Sequence, residues 1–168
     1  FAMMGLHPTS VKENFREELK QVAKWVDQRE FIAIGEIGID LYWDKTFQKQ
    51  QEEAFRFQID LALEKSFPIV IHSRESFNEI FEVLEDYRNK GLKGVFHCFT
   101  GTIEQARMAI EMGFYLGIGG VVSFKNSGLD KVVEQINLKD ILLETDAPFL
   151  APMPFRGKRN ESSYINLI

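Results

Sequence analysis

The three histidines of this 168-residue chain all lie at the ends of short apolar runs. His7 lies in "GLHP", His72 closes "PIVIH", and His97 lies in "KGVFHCF". A fourth run, "FIAIGE", closes with the acidic residue Glu36. Imidazole and carboxylate groups bind metal ions and transfer protons near neutral pH. Their repeated position after apolar runs therefore predicts a chemical site assembled from the ends of several strands.

The stretch "ILLETDAPF" raises the same possibility with acidic residues. Its three aliphatic residues predict a strand buried on both faces, yet the run ends in Glu144 and Asp146, and Pro148 follows. Carboxylates gathered at the end of an apolar strand repel one another and resist ionisation unless a cation compensates them. Two imidazoles and several carboxylates without a partner thiol suit one or two divalent ions such as zinc, manganese or magnesium.

Alternation of side chains along a strand indicates which of these residues share a face. His72 shares a face with Val70, and Glu36 shares one with Ile34, whereas Cys98 points away from His97, toward the helices, and is expected to pack there. One consistent choice of face gathers five side chains: Glu36, His72, His97, Glu144 and Asp146. We expect Glu36, His72, His97 and Asp146 to be metal ligands. Glu144 is more easily explained as a supporting carboxylate.

Each residue also has a simpler explanation. Either histidine, His72 or His97, could be a hydrogen-bonded barrel residue without a ligand. Glu36 could cap the loop after its strand, and Asp146 could cap a turn before Pro148.

Basic residues and His7 leave similar alternatives open. His7 either stabilises the turn at Pro8 or contacts a substrate. Arg74, two residues after His72, either pairs with a carboxylate such as Glu79 or clamps a phosphate. The basic group Arg156, Lys158 and Arg159 is either a solvated loop or a contact for an anionic substrate.

Six apolar runs alternate with amphipathic helices, which implies parallel strands joined by right-handed crossovers. The runs are residues 2 to 7, 31 to 36, 68 to 72, 93 to 99, 114 to 120 and 141 to 146. A capping box of Ser10 and Glu13 predicts a helix to about Arg29, and another box pairs Thr102 with Gln105 ahead of a helix that Gly113 ends. Further helices are expected from Thr46 to about Ser66, and from Phe77 to a C-cap at Gly91.

Polar residues at the ends of many different strands favour a TIM (β/α)8-type barrel over a nucleotide-binding open sheet, whose G-x-G-x-x-G fingerprint is missing. A closed barrel needs eight strands and typically about 250 residues. We therefore predict that residues 1–168 form a single, incomplete barrel domain of about six strand–helix units, without the first strands and the last helix.

Composition narrows the function classes. The chain is 45% hydrophobic and 27% charged, as in folded soluble proteins, and no apolar run is long enough to span a bilayer. No leader pattern is evident and Cys98 has no partner, so a cytoplasmic location is expected, without a membrane partner. The net charge of −5 argues against a broad nucleic-acid groove, but not against an enzyme that holds one or two phosphates through metal ions.

An ordered series of motifs resembles the TatD family of metal-dependent deoxyribonucleases, within the amidohydrolase-type barrels. The motifs are "GLHP" (5 to 8), "GEIGID" (35 to 40), "PIVIHSR" (68 to 74), "HCFTG" (97 to 101), "YLGIGG" (115 to 120), "ETDAP" (144 to 148) and "RGKRNE" (156 to 161). They span nearly the whole chain. The series as a whole is specific, although each motif alone is weak.

The resemblance implies a distorted TIM barrel that cleaves phosphodiester bonds, from the 3′ end of DNA, with one or two divalent ions. It implies that Glu36 bridges two ions, that His72 and His97 bind one, and that Asp146 binds the other and orients the attacking water. His7 and Arg74 would face the scissile phosphate of DNA or of another phosphodiester substrate.

Two departures and two alternatives accompany the resemblance. The family's opening His-x-His-x-Asp segment does not occur in the chain, and Ser162 stands where the family usually has proline. One alternative is a barrel hydrolase of amides or lactones, although relatives of that kind often bridge their ions with a modified lysine where Glu36 stands here. The other is a non-catalytic scaffold. The sequence does not decide the oligomeric state.

Overall fold

A computed structural model describes residues 1–168 and divides them into two compact units. The N-terminal unit is Phe1–Gly94 and the C-terminal unit is Val95–Ile168. The assignment of all 168 residues to a single domain stays a prediction.

The N-terminal unit alternates helices with parallel strands. Its elements are a 3₁₀ turn at Pro8–Ser10, α1 (Phe15–Gln28), β1 (Ile34–Asp40), α2 (Gln48–Lys65), β2 (Ile69–Arg74) and α3 (Phe77–Glu85). Strands β1 and β2 pair in parallel, with Gly38 opposite His72 and Asp40 opposite Arg74. The register shifts between Gly35 and Ile37, next to Glu36. The pairing brings the carboxyl ends of both strands to one edge.

The core of this unit follows the apolar spacing of the sequence. Helix α1 buries Phe15, Leu19, Val22 and Val26 on one face. Helix α2 buries Phe55 and Ile59, and it also buries two glutamines, Gln51 and Gln58. Buried amides need hydrogen-bond partners. The Gln51 side chain bonds to the backbone of Asp40, and the Gln58 side chain bonds to the backbone of Leu6.

The C-terminal unit repeats the alternation with shorter elements. They are β3 (Gly94–Phe96, of which Gly94 is the last residue of the preceding unit), α4 (Ile103–Glu111), β4 (Phe114–Ile118), α5 (Leu129–Val133) and β5 (Ile141–Leu143), with 3₁₀ turns at Gly120–Ser123, Leu138–Asp140 and Ser162–Leu167. Strands β4 and β5 pair in parallel, with Leu116 opposite Ile141 and Ile118 opposite Leu143. The predicted capping box at Thr102 and Gln105 is confirmed.

Several local predictions were wrong. Residues 2 to 7 form no strand, only one bridge from Met4 to Ile34, so five strands replace the expected six. Ser10 lies inside the first 3₁₀ turn, and α1 begins after Asn14 without a side-chain cap. Helix α3 ends at Glu85, and turns rather than helix lead to Gly91. The turn that contains Ser10 is capped by the side chain of His7, which accepts from the N–H of Thr9.

The expected burial of β5 was also wrong. Leu142 and Leu143 are 46% and 57% exposed, and Ile141 is only partly buried. Aliphatic residues favour the strand conformation, and β5 pairs with β4 on that basis. Burial depends on covering elements that these three residues do not specify.

No helix in the structure is both long and apolar enough to cross a lipid bilayer.

Candidate metal-binding clusters

Three side chains of the N-terminal unit converge, from the turn before Pro8 and from within β1 and β2. We call His7, Glu36 and His72 the N-terminal cluster. The Nε2 atom of His7 lies 3.3 Å from Nδ1 of His72 and 3.5 Å from Oε2 of Glu36. The Glu36 Oε2 atom lies 3.8 Å from Nδ1 of His72. One donor atom from each residue therefore faces a common point.

The spacing of these donor atoms fits a single divalent ion. Ligand atoms about 2.0–2.2 Å from one tetrahedral ion lie roughly 3.4 Å from each other. The distances of 3.3, 3.5 and 3.8 Å within the cluster are close to that value. Two imidazoles and one carboxylate are also a donor set that zinc and similar ions accept. The cluster can thus hold an ion with little rearrangement.

Asp40 fixes the ring of His72. Its Oδ2 atom lies 2.9 Å from Nε2 of His72, and its Oδ1 atom accepts a hydrogen bond of 3.0 Å from the backbone N–H of Tyr42. Asp40 is only 2% exposed. An ionised carboxylate only accepts hydrogen bonds, so we assign the ring proton to Nε2 of His72. Nδ1 then keeps its lone pair and presents it to the cluster.

His7 uses its two ring nitrogens differently. Nδ1 accepts a hydrogen bond of 3.2 Å from the backbone N–H of Thr9 and caps the turn that begins at Pro8. With Nδ1 as the acceptor, the ring proton lies on Nε2, which faces the N-terminal cluster. Binding an ion through Nε2 requires the other tautomer, in which Nδ1–H donates to Oγ1 of Thr9 at 2.7 Å. The predicted role in the turn is confirmed, and contact with a substrate stays a prediction.

Two buried glutamines on α2 hold the backbone around the cluster. Gln58 accepts a hydrogen bond of 2.6 Å from the N–H of Leu6 and donates one of 3.3 Å to the Leu6 carbonyl. Gln51 makes the same pair of contacts with Asp40, at 2.8 and 3.2 Å. Helix α2 therefore positions both the segment that carries His7 and the carboxylate that orients His72.

The C-terminal unit contains a second group of this kind. We call His97, Glu144 and Asp146 the C-terminal cluster. The Nδ1 atom of His97 lies 2.8 Å from Oε2 of Glu144, and its Nε2 atom lies 3.7 Å from Oδ1 of Asp146. The backbone N–H of Cys98 donates to the other oxygen of Glu144. Glu144 thus holds one ring nitrogen, as a supporting carboxylate would, and the other nitrogen faces Asp146.

A glycine makes room for Glu144. A Cβ atom at Gly117, on β4, would lie 2.7 Å from the carboxyl carbon of Glu144. That distance is shorter than real Cβ contacts, so any side chain at 117 would displace the carboxylate. Gly117, the first glycine in "YLGIGG", therefore leaves room for the carboxylate that orients His97.

Arg74 lies against aromatic rings. Its guanidinium is 3.8 Å from the ring centre of Tyr42 and 5.2 Å from that of Trp43. Both rings are exposed, at 47% and 70%. The alternative pairing with Glu79 is not the arrangement seen. Stacking holds the guanidinium while leaving its N–H groups available.

Inside each unit the structure brings predicted site residues together. Glu36 meets His72, and His97 meets both Glu144 and Asp146. The four-ligand set of Glu36, His72, His97 and Asp146 stays a prediction. Sequence analysis missed the two glutamines and Asp40, although Asp40 continues the two-residue period of Glu36 in "GEIGID" and ends its strand.

A family profile described as TatD related DNase matches residues 1–168. The chain belongs to this family. It is 42% identical over 169 residues to a protein of Bacillus subtilis described as the uncharacterized metal-dependent hydrolase YabD. That match covers 100% of the chain and 66% of the relative.

Two further similar proteins are also described as TatD or as a TatD homolog. A 3′-5′ ssDNA/RNA exonuclease TatD of Pantoea ananatis is 34% identical over 167 residues, covering 96% of the chain and 64% of the relative. The solved structure of the TatD homolog YJJV from Escherichia coli is 28% identical with a TM-score of 0.91 over 99% of the chain and 66% of that structure. The chain therefore spans about two thirds of the length of the proteins it matches. This likeness and the parallel strand–helix alternation confirm the predicted TIM-barrel fold class, with partial coverage of the barrel.

Proposed function

We propose that the protein carrying this chain is a metal-dependent hydrolase of phosphodiester bonds that removes nucleotides from the 3′ end of DNA. The observation that carries the proposal is the N-terminal cluster, in which donor atoms of His7, Glu36 and His72 face one point at 3.3–3.8 Å. Asp40 supports it because it leaves a lone pair on Nδ1 of His72.

We assign the roles of the individual residues from the family resemblance together with these contacts. Glu36, His72, His97 and Asp146 would be the metal ligands, with Glu36 shared between two ions. The bound ions would supply positive charge for the phosphate and would acidify the attacking water. Asp146 is assigned to orient that water and to accept its proton.

Two further residues are assigned to the substrate. Arg74 would donate N–H groups to the phosphate while its guanidinium stays on Tyr42. His7 would contact the phosphate through Nε2, although the same atom is placed to bind an ion. Replacing His7 distinguishes these roles, because loss of a ligand lowers the metal content and loss of a substrate contact does not.

The nucleic-acid substrate is supported by the relatives. The Pantoea ananatis relative is named as an exonuclease of single-stranded DNA and RNA, so RNA is included as a substrate to test. An amide or lactone hydrolase is the second candidate, and a non-catalytic scaffold is the third. A cytoplasmic location stays a prediction.

A substrate comparison with the full-length protein tests the proposal. The metal-free protein is prepared with a chelator and supplied in turn with zinc, manganese or magnesium. Each form is then offered single-stranded DNA and RNA labelled at the 5′ end, bis(p-nitrophenyl) phosphate, an amide and a lactone. We expect a ladder shortened from the 3′ end that appears only with metal. Turnover of the amide or lactone but not of phosphodiesters would overturn the proposal, and inactivity on every substrate would favour the scaffold.

A further inference from the structure

We propose that the C-terminal unit contains a pocket for one nucleotide, which accepts the base against phenylalanine rings and an adjoining phosphate against basic side chains. This proposal rests on the proposed function, because it assigns a part of the substrate to residues outside the metal-binding clusters. The pocket has a volume of about 380 Å³, within the range of small-molecule sites. Its walls include Phe124, Phe149, Leu150, Ala151, Arg156 and Lys158.

The loop that forms the pocket is held by specific contacts. Asn160, only 2% exposed, donates a hydrogen bond of 2.6 Å from its side chain to the carbonyl of Phe149. Its backbone N–H donates to the carbonyl of Pro148 at 3.0 Å. The hydroxyl of Ser123 accepts a bond of 2.8 Å from the N–H of Met153. The two ends of the loop are thus joined, and its middle is attached to the turn after β4.

A close backbone approach completes this attachment. A Cβ atom at position 120 would lie only 2.1 Å from the carbonyl oxygen of Leu150. Only glycine at 120 permits the loop to lie this near to the turn. The pocket is therefore a product of the fold, and its shape does not depend on exposed side chains alone.

The walls offer two kinds of recognition. Phe149 is 66% exposed, although removing a phenylalanine ring from water is favourable. A nucleobase stacked on that ring would cover it. The guanidinium of Arg156 lies 4.4 Å from the centre of the Phe124 ring, which orients it beside the same pocket. An aromatic group together with an anion is the ligand that such walls fit.

The local charge agrees with an anionic ligand. The chain as a whole has a net charge of −5, yet Arg156, Lys158 and Arg159 fall within four consecutive positions. Two of them, Arg156 and Lys158, line the pocket, and no acidic side chain does. Unneutralised cations facing a cavity attract phosphate, and arginine also stacks on bases.

The position of the pocket along the chain connects it with the proposed reaction. Pro148, which also lines it, follows Asp146 by only two residues. A nucleotide of a single strand and a free mononucleotide share the chemistry of a base and a phosphate. The experiment therefore includes both.

Binding is measured with the full-length protein in a chelator, so that hydrolysis does not occur. A fluorescent single-stranded DNA of six nucleotides is titrated by anisotropy, with adenosine monophosphate and inorganic phosphate as competitors. Phe149→Ala should weaken binding of the strand about 10-fold, because one base–aromatic stack is lost, and Phe149→Tyr should restore it. Arg156→Ala should weaken binding several-fold. The matched control is Arg107→Ala, which removes an exposed arginine from α4 and should bind like the wild type.

The outcomes separate this proposal from the proposed function. Wild-type affinity in both Phe149→Ala and Arg156→Ala, with circular dichroism unchanged, would overturn the pocket. Equal weakening by Arg107→Ala, or phosphate that competes as well as the mononucleotide, would also overturn it. A labelled adenosine monophosphate that binds while the strand does not would support a pocket for free nucleotides. If the wild-type protein with metal hydrolyses no phosphodiester but shows the variant-dependent binding, the pocket stands and the proposed nuclease fails.

Discussion

The N-terminal and C-terminal clusters fix a histidine ring in the same way but expose opposite nitrogens. Asp40 holds Nε2 of His72, so Nδ1 faces Glu36. Glu144 holds Nδ1 of His97, so Nε2 faces Asp146. The comparison shows that a carboxylate on one side of the ring, rather than a particular nitrogen, is the shared requirement. Such a carboxylate fixes the tautomer and raises the basicity of the nitrogen on the other side.

The clusters differ in how completely each unit supplies an ion site. The N-terminal cluster brings three donor atoms to one point, and its supporting residue Asp40 is 2% exposed. In the C-terminal cluster His97 and Asp146 face each other, and the supporting side chain Glu144 is 21% exposed. A buried carboxylate is screened less by water than a partly exposed one. We therefore expect changes in the N-terminal cluster to have the larger effects.

The largest effect is expected from Glu36→Gln in the full-length protein. The amide is neutral and offers a weaker ligand atom, so phosphodiesterase activity should fall more than about 100-fold and metal content should fall with it. Activity with bis(p-nitrophenyl) phosphate and elemental analysis of the purified protein provide the measurements.

Glu82→Gln is the control for Glu36→Gln, because Glu82 is an exposed glutamate on α3. It should behave like the wild type. Full metal-dependent activity in Glu36→Gln would show that this carboxylate does not bridge or bind the ions.

The next largest effect is expected from Asp40→Asn. The asparagine oxygen can keep the bond to the N–H of Tyr42, and its NH₂ group then faces Nε2 of His72. The ring proton would move to Nδ1, where it would block the lone pair that the cluster needs. Metal affinity should fall roughly 10- to 100-fold, the range typical of supporting partners.

Glu144→Gln sharpens the comparison with Asp40→Asn. The same exchange of protons is expected at His97, but the greater exposure of Glu144 lets water replace part of the lost bond. The loss should be smaller than for Asp40→Asn in the same metal titration. A larger loss would reverse the proposed ranking of the two clusters.

A smaller effect is expected from Gly117→Ala. The new Cβ would lie 2.7 Å from the carboxyl carbon of Glu144 and would push this group away from His97 without changing its charge. We expect about a 10-fold loss of metal affinity, at the lower end of the range for supporting contacts.

Gly119→Ala is the matched control, two residues further along the chain. Its Cβ would meet the carbonyl oxygen of Glu144 at 3.5 Å, an ordinary contact. Affinity should be unchanged in this variant. Equal losses in both variants would mean that general disturbance at the end of β4, not the position of the carboxylate, causes the effect.

Much of the N-terminal unit was predictable because its signals are periodic. The spacing of Phe15, Leu19, Val22 and Val26 indicated α1, and alternation placed Glu36 with His72. The capping box at Ser10 failed, since Ser10 lies inside a turn that His7 and Pro8 begin before the helix. The burial of β5 failed because burial depends on distant elements.

The supporting contacts could not be predicted from the same signals. Gln51 and Gln58 interrupt the apolar face of α2 and look like ordinary helix residues. Their role depends on backbone groups of Asp40 and Leu6, which are 11 and 52 residues away along the chain. Likewise, nothing local to Gly117 indicates that Glu144 fills the space beside it.

The smallest effect on metal affinity is expected from Gln58→Leu. This variant tests whether α2 holds the N-terminal cluster in place. Leucine fills a similar volume but leaves the N–H and carbonyl of Leu6 without the partner on α2. An unsatisfied buried polar group costs about 1–3 kcal/mol, so the free energy of unfolding in urea should fall by that amount. Metal affinity should fall only a few-fold, because Nδ1 of His7 keeps its own contact with Thr9. Thr102→Ala removes a cap in the C-terminal unit and should cost about 1 kcal/mol with no change in affinity. If both variants lose stability but neither loses affinity, the local turn at Pro8 positions His7 and α2 does not.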